Sequence, residues 1–174
     1  QGSGKSLSMV FYAHLLQEAL ESPTIVVLTD RNDLDDQLYS QFAKCKDFLR
    51  QEPLQAESRE NLKTLLAGRK ANGIIFTTMQ KFEESNEPLS ERHNIIVMTD
   101  EAHRGQYGLA ETIKITKNKE GEEVAKRVIG TARVIRNTLP NATYIGFTGT
   151  PIFPENALGA ETTASVFGRE LHFY

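Results

Sequence analysis

Cysteine is almost absent from this 174-residue chain: Cys45 stands alone, so no internal disulfide can form. That usage suits a reducing compartment such as the cytoplasm. No apolar run approaches the length a bilayer-spanning helix needs. There is no excess of positive charge either. The net charge of −3 excludes nonspecific attraction of the whole surface to a polyanion, although it leaves room for a local contact face. Of the four histidines, His14, His93 and His172 show no metal-ligand spacing. Internal repeats, low-complexity tracts, an initiator Met and a targeting segment are all missing. Asn141-Ala142-Thr143 matches a glycosylation acceptor, but with no secretory context it reads as a chance match.

The remaining composition, 39% hydrophobic and 25% charged, is that of an ordinary globular domain long enough to bury a core. Apolar residues at Leu7, Val10, Phe11, Leu15, Ala19 and Leu20 predict an amphipathic helix from Lys5, stopped by Ser22-Pro23. Four short runs then predict strands buried on both faces: Thr24–Thr29, Gly73–Thr78, Asn94–Thr99 and Ala142–Phe147. Between them, helices are expected from Asn32 through Ala43, from Ser58 to Ala67 and from Thr131 to Leu139. Strands alternating with helices imply an α/β fold with a mostly parallel sheet covered on both faces. The polar stretch Glu83–His93 reads as a surface loop. Residues 112–128 read as a charged surface hairpin, flanking Lys119-Glu120-Gly121-Glu122.

Two motifs carry chemistry. Gly2-Ser3-Gly4-Lys5-Ser6 is the end of a phosphate-binding loop: glycines let backbone N–H groups close around phosphate oxygens, Lys5 neutralises their charge and Ser6 can ligate Mg²⁺. In that pattern the first glycine would fall two residues before Gln1, so the chain opens inside its own motif. It is expected to be a fragment of a longer protein that lacks the strand leading into the loop. Asp100-Glu101-Ala102-His103 follows an apolar run, with Asp100 placed for the metal and Glu101 placed to orient and deprotonate water. Together they predict an NTP-hydrolysing site that uses Mg²⁺. Every polar residue of interest follows a strand, where ligands bind in parallel sheets. His103 is either a plain loop residue or a hydrogen-bond link toward Gly146–Pro151. Asp30, Asp33, Asp35 and Asp36 are explained by helix capping and a solvated face rather than by a metal cluster.

In this order, Gly2–Ser6, Asp100–His103 and Thr148-Gly149-Thr150-Pro151 resemble motifs I, II and III of superfamily 2 helicases and translocases. Val27–Leu34 with Gln37, and Ile75–Phe82, resemble that superfamily's intervening motifs. The chain is most similar to the motor/endonuclease (R) subunit of type I restriction enzymes. Asp30–Gln37, Thr77–Lys81, Asp100–Arg104 with Gln106 and Gly108, and Gly146–Ile152 carry the likeness. It extends through Phe153–Asn156, Glu161–Thr163 and Val166–Gly168.

The resemblance implies a first RecA-like P-loop ATPase domain over residues 1–174, missing its P-loop strand. The longer protein would use ATP to translocate duplex DNA, with cleavage by a nuclease domain elsewhere and methylation and specificity subunits as partners. It implies nucleotide-state coupling through His103, Thr148, Gly149 and Thr150. It also implies a DNA-facing set of Thr29, Arg31, Thr77, Thr78 and Lys81. The charged segment from about Ile113 to Arg127 is longer than the resemblance predicts. Three readings stay open beside it: another superfamily 2 motor, such as one acting on RNA; a P-loop kinase, which should carry a lid and an acceptor pocket; and a nucleotide- or DNA-binding module without turnover.

Overall fold

The structure, a computed structural model, describes residues 4–29, 32–68, 73–83, 87–100, 111–117, 123–129 and 131–148. In chain order these form α1 (Lys5–Ala19), β1 (Thr24–Thr29), α2 (Asn32–Lys44), α3 (Lys46–Leu49), β2 (Leu54–Gln55), α4 (Arg59–Gly68), β3 (Gly73–Thr78) and α5 (Gln80–Glu83). They continue with β4 (Ile95–Asp100), β5 (Glu111–Lys117), β6 (Glu123–Ile129), α6 (Thr131–Thr138) and β7 (Thr143–Phe147). Five strands build a parallel sheet in the order β2-β3-β1-β4-β7. The two-residue β2 and the short helices α3 and α5 had no signal in the periodicity, being too brief to show one.

Alternation along the strands divides the core in two. One face gathers Val26, Leu28, Ile75, Ile95 and Val97 with Leu62 and Leu66 of α4, Phe82 of α5, and Val134 and Ile135 of α6. The other gathers Ile25, Val27, Ile74, Phe76, Ile96 and Met98 with Met9, Val10 and Ala13 of α1, Leu38 and Phe42 of α2, and Leu49 of α3. Three helices therefore cover each face. β1, β3 and the first five residues of β4 are buried throughout, which is why their sequences read as unbroken β-branched runs rather than alternating ones.

α1 departs from the expected amphipathic face. Its buried residues are Met9, Val10 and Ala13, while Leu7, Phe11 and Leu15 are exposed. The helix is apolar on more than one side, so the recurrence of large apolar residues indicated a helix but picked the wrong inward stripe. Phe11 and His14 instead pack on Phe48 of α3, with ring centroids 5.4 and 4.2 Å apart.

The polar connection after α5 is more firmly held than a free surface loop. Leu89 is buried, and its amide donates to the Thr138 carbonyl at 2.7 Å. Arg92 then donates to the Leu66 carbonyl (2.9 Å), Thr24 Oγ1 (2.7 Å) and Asn94 Oδ1 (2.9 Å), tying α4 to the entrance of β1. Burial lowers the pKa of this guanidinium, although an arginine stays charged at any working pH. β5 and β6 pair with each other, antiparallel, in a separate two-stranded sheet.

Candidate nucleotide site

The parallel sheet brings the ends of distant segments to one edge. Gly4, with φ 73°, holds the left-handed conformation just before α1, and a Cβ built there would meet nothing within 4 Å. Glycine thus serves here for backbone freedom and open approach. Beyond it the helix starts at Lys5, with Ser6 exposed in the first turn. First-turn amides of a helix lack intrahelical acceptors and, with the helix dipole, favour an anion. No side chain caps this terminus.

Asp100 is the last residue of β4. Strand alternation puts it on the same face as Ile96 and Met98, the face on which α1 lies. The outcome is an ion pair between Lys5 Nζ and Asp100 Oδ1 at 2.7 Å, with the two side chains only 23% and 17% exposed. Two residues ninety-five positions apart in sequence therefore meet at the carboxyl edge of the sheet.

Phe147, the last residue of β7, is the cross-strand partner of Asp100, so Thr148 leaves the sheet directly beside the carboxylate. Tyr12 of α1 packs edge-on against Phe147, with centroids 5.9 Å apart. The same edge thus gathers Gly4, Lys5, Ser6, Asp100 and the half-buried Thr148. Gly2, Ser3, Glu101, His103, Gly149, Thr150 and Arg31 lie outside the described residues.

The donor set fits a magnesium–nucleotide pair. A cation, a hydroxyl and the first-turn amides of a helix are groups that could hold phosphate oxygens, and one carboxylate suffices for a metal that keeps waters and phosphate oxygens as its other ligands. No cluster of three metal-ligating side chains occurs among the described residues, and this chemistry does not require one.

Three members of the expected DNA-facing set are buried. Thr29, Thr77 and Thr78 are 1%, 0% and 1% exposed, at the ends of β1 and β3. Thr29 Oγ1 reaches the Thr77 carbonyl at 3.5 Å, whereas the Thr77 and Thr78 hydroxyls find no hydrogen-bond partner among the described residues. The Lys81 ammonium donates to the Ala56 carbonyl. Polar residues after a strand suggested an exposed edge, but the Met79 amide donates to the Thr29 carbonyl at 3.2 Å, extending the close-packed sheet past its formal end.

Arg59 escaped sequence reasoning. It is 7% exposed and donates to the carbonyls of Lys81 (3.4 Å), Phe82 (3.3 Å) and Glu87 (2.7 Å). These acceptors include the last turn of α5, where a cation offsets unsatisfied carbonyls and the negative end of the helix dipole. The available signal was its place one residue after Ser58, a helix-capping residue: Ser58 Oγ accepts the Asn61 amide at 3.1 Å, and Asn61 Oδ1 accepts the Glu57 amide at 3.1 Å. That reciprocal cap fixes the start of α4 and with it the aim of Arg59.

Comparison with known proteins gives the family. The chain is 50% identical over 181 residues to the type I restriction enzyme HindI endonuclease subunit of Haemophilus influenzae, covering 100% of this chain and 16% of that protein. It is 32% identical over 180 residues to a type I restriction enzyme endonuclease subunit of Staphylococcus aureus strain COL, covering 99% of this chain and 17% of that protein. The chain thus spans about a sixth of the length of these relatives. The family model described as SWI2/SNF2 ATPase matches residues 1–174. With the match running through the whole sequence, the chain belongs to the SWI2/SNF2 ATPase family.

Proposed function

We propose that this chain is the ATP-hydrolysing motor segment of a type I restriction enzyme endonuclease subunit. In this reading ATP turnover drives translocation of duplex DNA, and cleavage falls to a nuclease domain elsewhere in the protein. The observation that carries the reading is the 2.7 Å pair between Lys5 and Asp100, which joins the start of α1 to the carboxylate that ends β4. The relatives' names supply the restriction context. Methylation and specificity subunits would be the partners, and the cytoplasm the site of action.

The roles follow from placement. Gly2, Ser3, Gly4 and the first amides of α1 would cradle the phosphates, and Lys5 would exchange its carboxylate partner for phosphate oxygens. Ser6 and Asp100 would hold Mg²⁺, which when bound neutralises charge on the phosphates. Glu101, one residue beyond Asp100, would orient a water on the γ-phosphorus and take its proton while the bond to the ADP oxygen breaks. His103 and Thr148–Thr150 would pass the nucleotide state on, because Thr148 leaves the sheet beside Asp100.

The test is ATP hydrolysis by the intact protein with and without duplex DNA. Lys5→Ala should abolish turnover and nucleotide binding together. Glu101→Gln should retain binding and slow turnover by about 10²–10⁴-fold, the usual contribution of a positioned base. Wild-type turnover in Lys5→Ala would overturn the assignment.

A further inference from the structure

Two side-chain contacts tie α1 to the ends of β4 and β7, and the roles assigned so far use only the first. That one is the Lys5–Asp100 ion pair at 2.7 Å. The other is the edge-on contact of Tyr12 with Phe147, with ring centroids 5.9 Å apart and planes at 75°. Asp100 and Phe147 are partners across β4 and β7, so both contacts land on one register position, on strands about 5 Å apart. Lys5 and Tyr12 are seven residues apart, about 20° short of two full turns, and so lie on the same side of the helix. Helical side chains lean toward the N-terminus, which lets the Tyr12 ring reach back toward the strand end.

The two contacts respond differently to a nucleotide. In the proposed reading Lys5 exchanges Asp100 for phosphate oxygens, so the ion pair is given up when ATP is bound. An aromatic pair has no charge to exchange and stays. Filling the core is not what Tyr12 does: the buried residues of α1 are Met9, Val10 and Ala13, while Tyr12 is 38% exposed. Nor is its partner strand deeply covered, since β7 is exposed at Thr143 and half-buried from Tyr144 to Phe147. The ring therefore bears on a strand end of the site, next to the point where Thr148 leaves the sheet.

We infer that Tyr12 is a positioning residue for ATP hydrolysis: through Phe147 it keeps the start of α1 in register with the ends of β4 and β7 once Lys5 has left Asp100. This rests on the motor reading above. Tyr12 acts through Phe147 and the helix rather than on the phosphates, by fixing where Lys5 and Ser6 stand relative to Asp100. Such placement tells most in the transition state, so the effect falls on turnover and not on ATP binding.

The test measures kcat and equilibrium ATP affinity of the intact protein with Mg²⁺. Tyr12→Ala should lower kcat by about 2–12-fold, the range an aromatic pair supplies, and leave ATP affinity at the wild-type value. Tyr12→Phe keeps the ring and should keep wild-type kcat. Phe147→Leu keeps apolar volume and should reproduce the loss, and combining it with Tyr12→Ala should slow turnover no further than the slower single variant. Phe11→Ala is the structural control. It removes a like edge-on contact from the adjacent position of the same helix, one directed at Phe48 of α3 with centroids 5.4 Å apart, and should leave kcat unchanged. Wild-type kcat in Tyr12→Ala, a loss confined to ATP affinity, a Tyr12→Phe variant as slow as Tyr12→Ala, additive losses in the double variant, or an equal loss in Phe11→Ala overturns the inference. Lys5→Ala tells the two failures apart. Wild-type turnover there brings down the motor reading and this inference with it, whereas loss of turnover there beside wild-type kcat in Tyr12→Ala removes the inference alone.

Discussion

Asp100→Asn has a consequence that separates a competing ion pair from a mere neighbour. Lys5 is held by Asp100 at 2.7 Å, so in the proposed reading a phosphate that reaches Lys5 competes with the carboxylate. At an effective dielectric near 20 such a contact is worth about 6 kcal/mol before desolvation and side-chain entropy are subtracted. Exposed pairs net about 0–1 kcal/mol, and breaking a fully buried one costs about 3–5. With side chains 23% and 17% exposed, this pair falls between, at about 1–3 kcal/mol.

The variant keeps the shape of Asp100 and releases Lys5 from its charge. ATP without metal, measured by equilibrium dialysis in excess chelator, should then bind about 5–150-fold more tightly than to wild type. With Mg²⁺ present that advantage should shrink and hydrolysis should be lost, because the carboxylate for the metal has gone. The gain in chelator should also diminish as salt rises. Unchanged metal-free affinity would refute the claim that Asp100 competes with phosphate for Lys5.

Other expectations concern the scaffold around the site. Arg59→Ala removes a buried cation from three carbonyls and should destabilise the α5 region by about 2–3 kcal/mol; amide exchange at Met79–Phe82 and Leu89 should quicken by about thirtyfold or more, and unchanged protection would contradict the clamp. Thr77→Val and Thr78→Val replace hydroxyls that are buried without partners among the described residues, so each should leave protection of β3 unchanged or raise it, whereas a loss would reveal a hydrogen bond. Tyr144 donates to the carbonyls of Leu139 (2.7 Å) and Ile135 (3.2 Å) at the end of α6, and burial raises its phenol pKa against the opposing pull of Arg136. A raised folded-state pKa means its stabilisation is present below the unfolded value near 10 and is lost as pH rises through the folded value. The stability difference between wild type and Tyr144→Phe should therefore be constant below about pH 10 and shrink above it; a difference that vanished near neutrality would refute the assignment.

Where local chemistry is strong, the sequence alone was sufficient. Runs such as Ile25–Leu28 and Ile95–Met98 are apolar on both alternating faces, which only a strand covered from both sides satisfies, so β1, β3 and β4 were legible as buried strands; β7, last in the sheet order and only partly covered, was legible as a strand but not as the buried one expected. Gly4 and Lys5 marked the start of α1, where the structure finds Gly4 left-handed just before the helix. Tertiary structure decided what depends on partners far along the chain. Which side of α1 turns inward was settled by the sheet beneath Met9, Val10 and Ala13, since the helix is apolar on its exposed side too. That Thr29, Thr77 and Thr78 are buried follows from the close packing of neighbouring strand ends, and polarity at a strand terminus does not reveal it. Arg59 gained its role only when α4 was laid against α5, because a guanidinium has no local acceptor pattern to betray it. The meeting of Lys5 with Asp100 required the order β1-β4-β7 to place a helix start over a strand end, a distance that sequence separation does not encode.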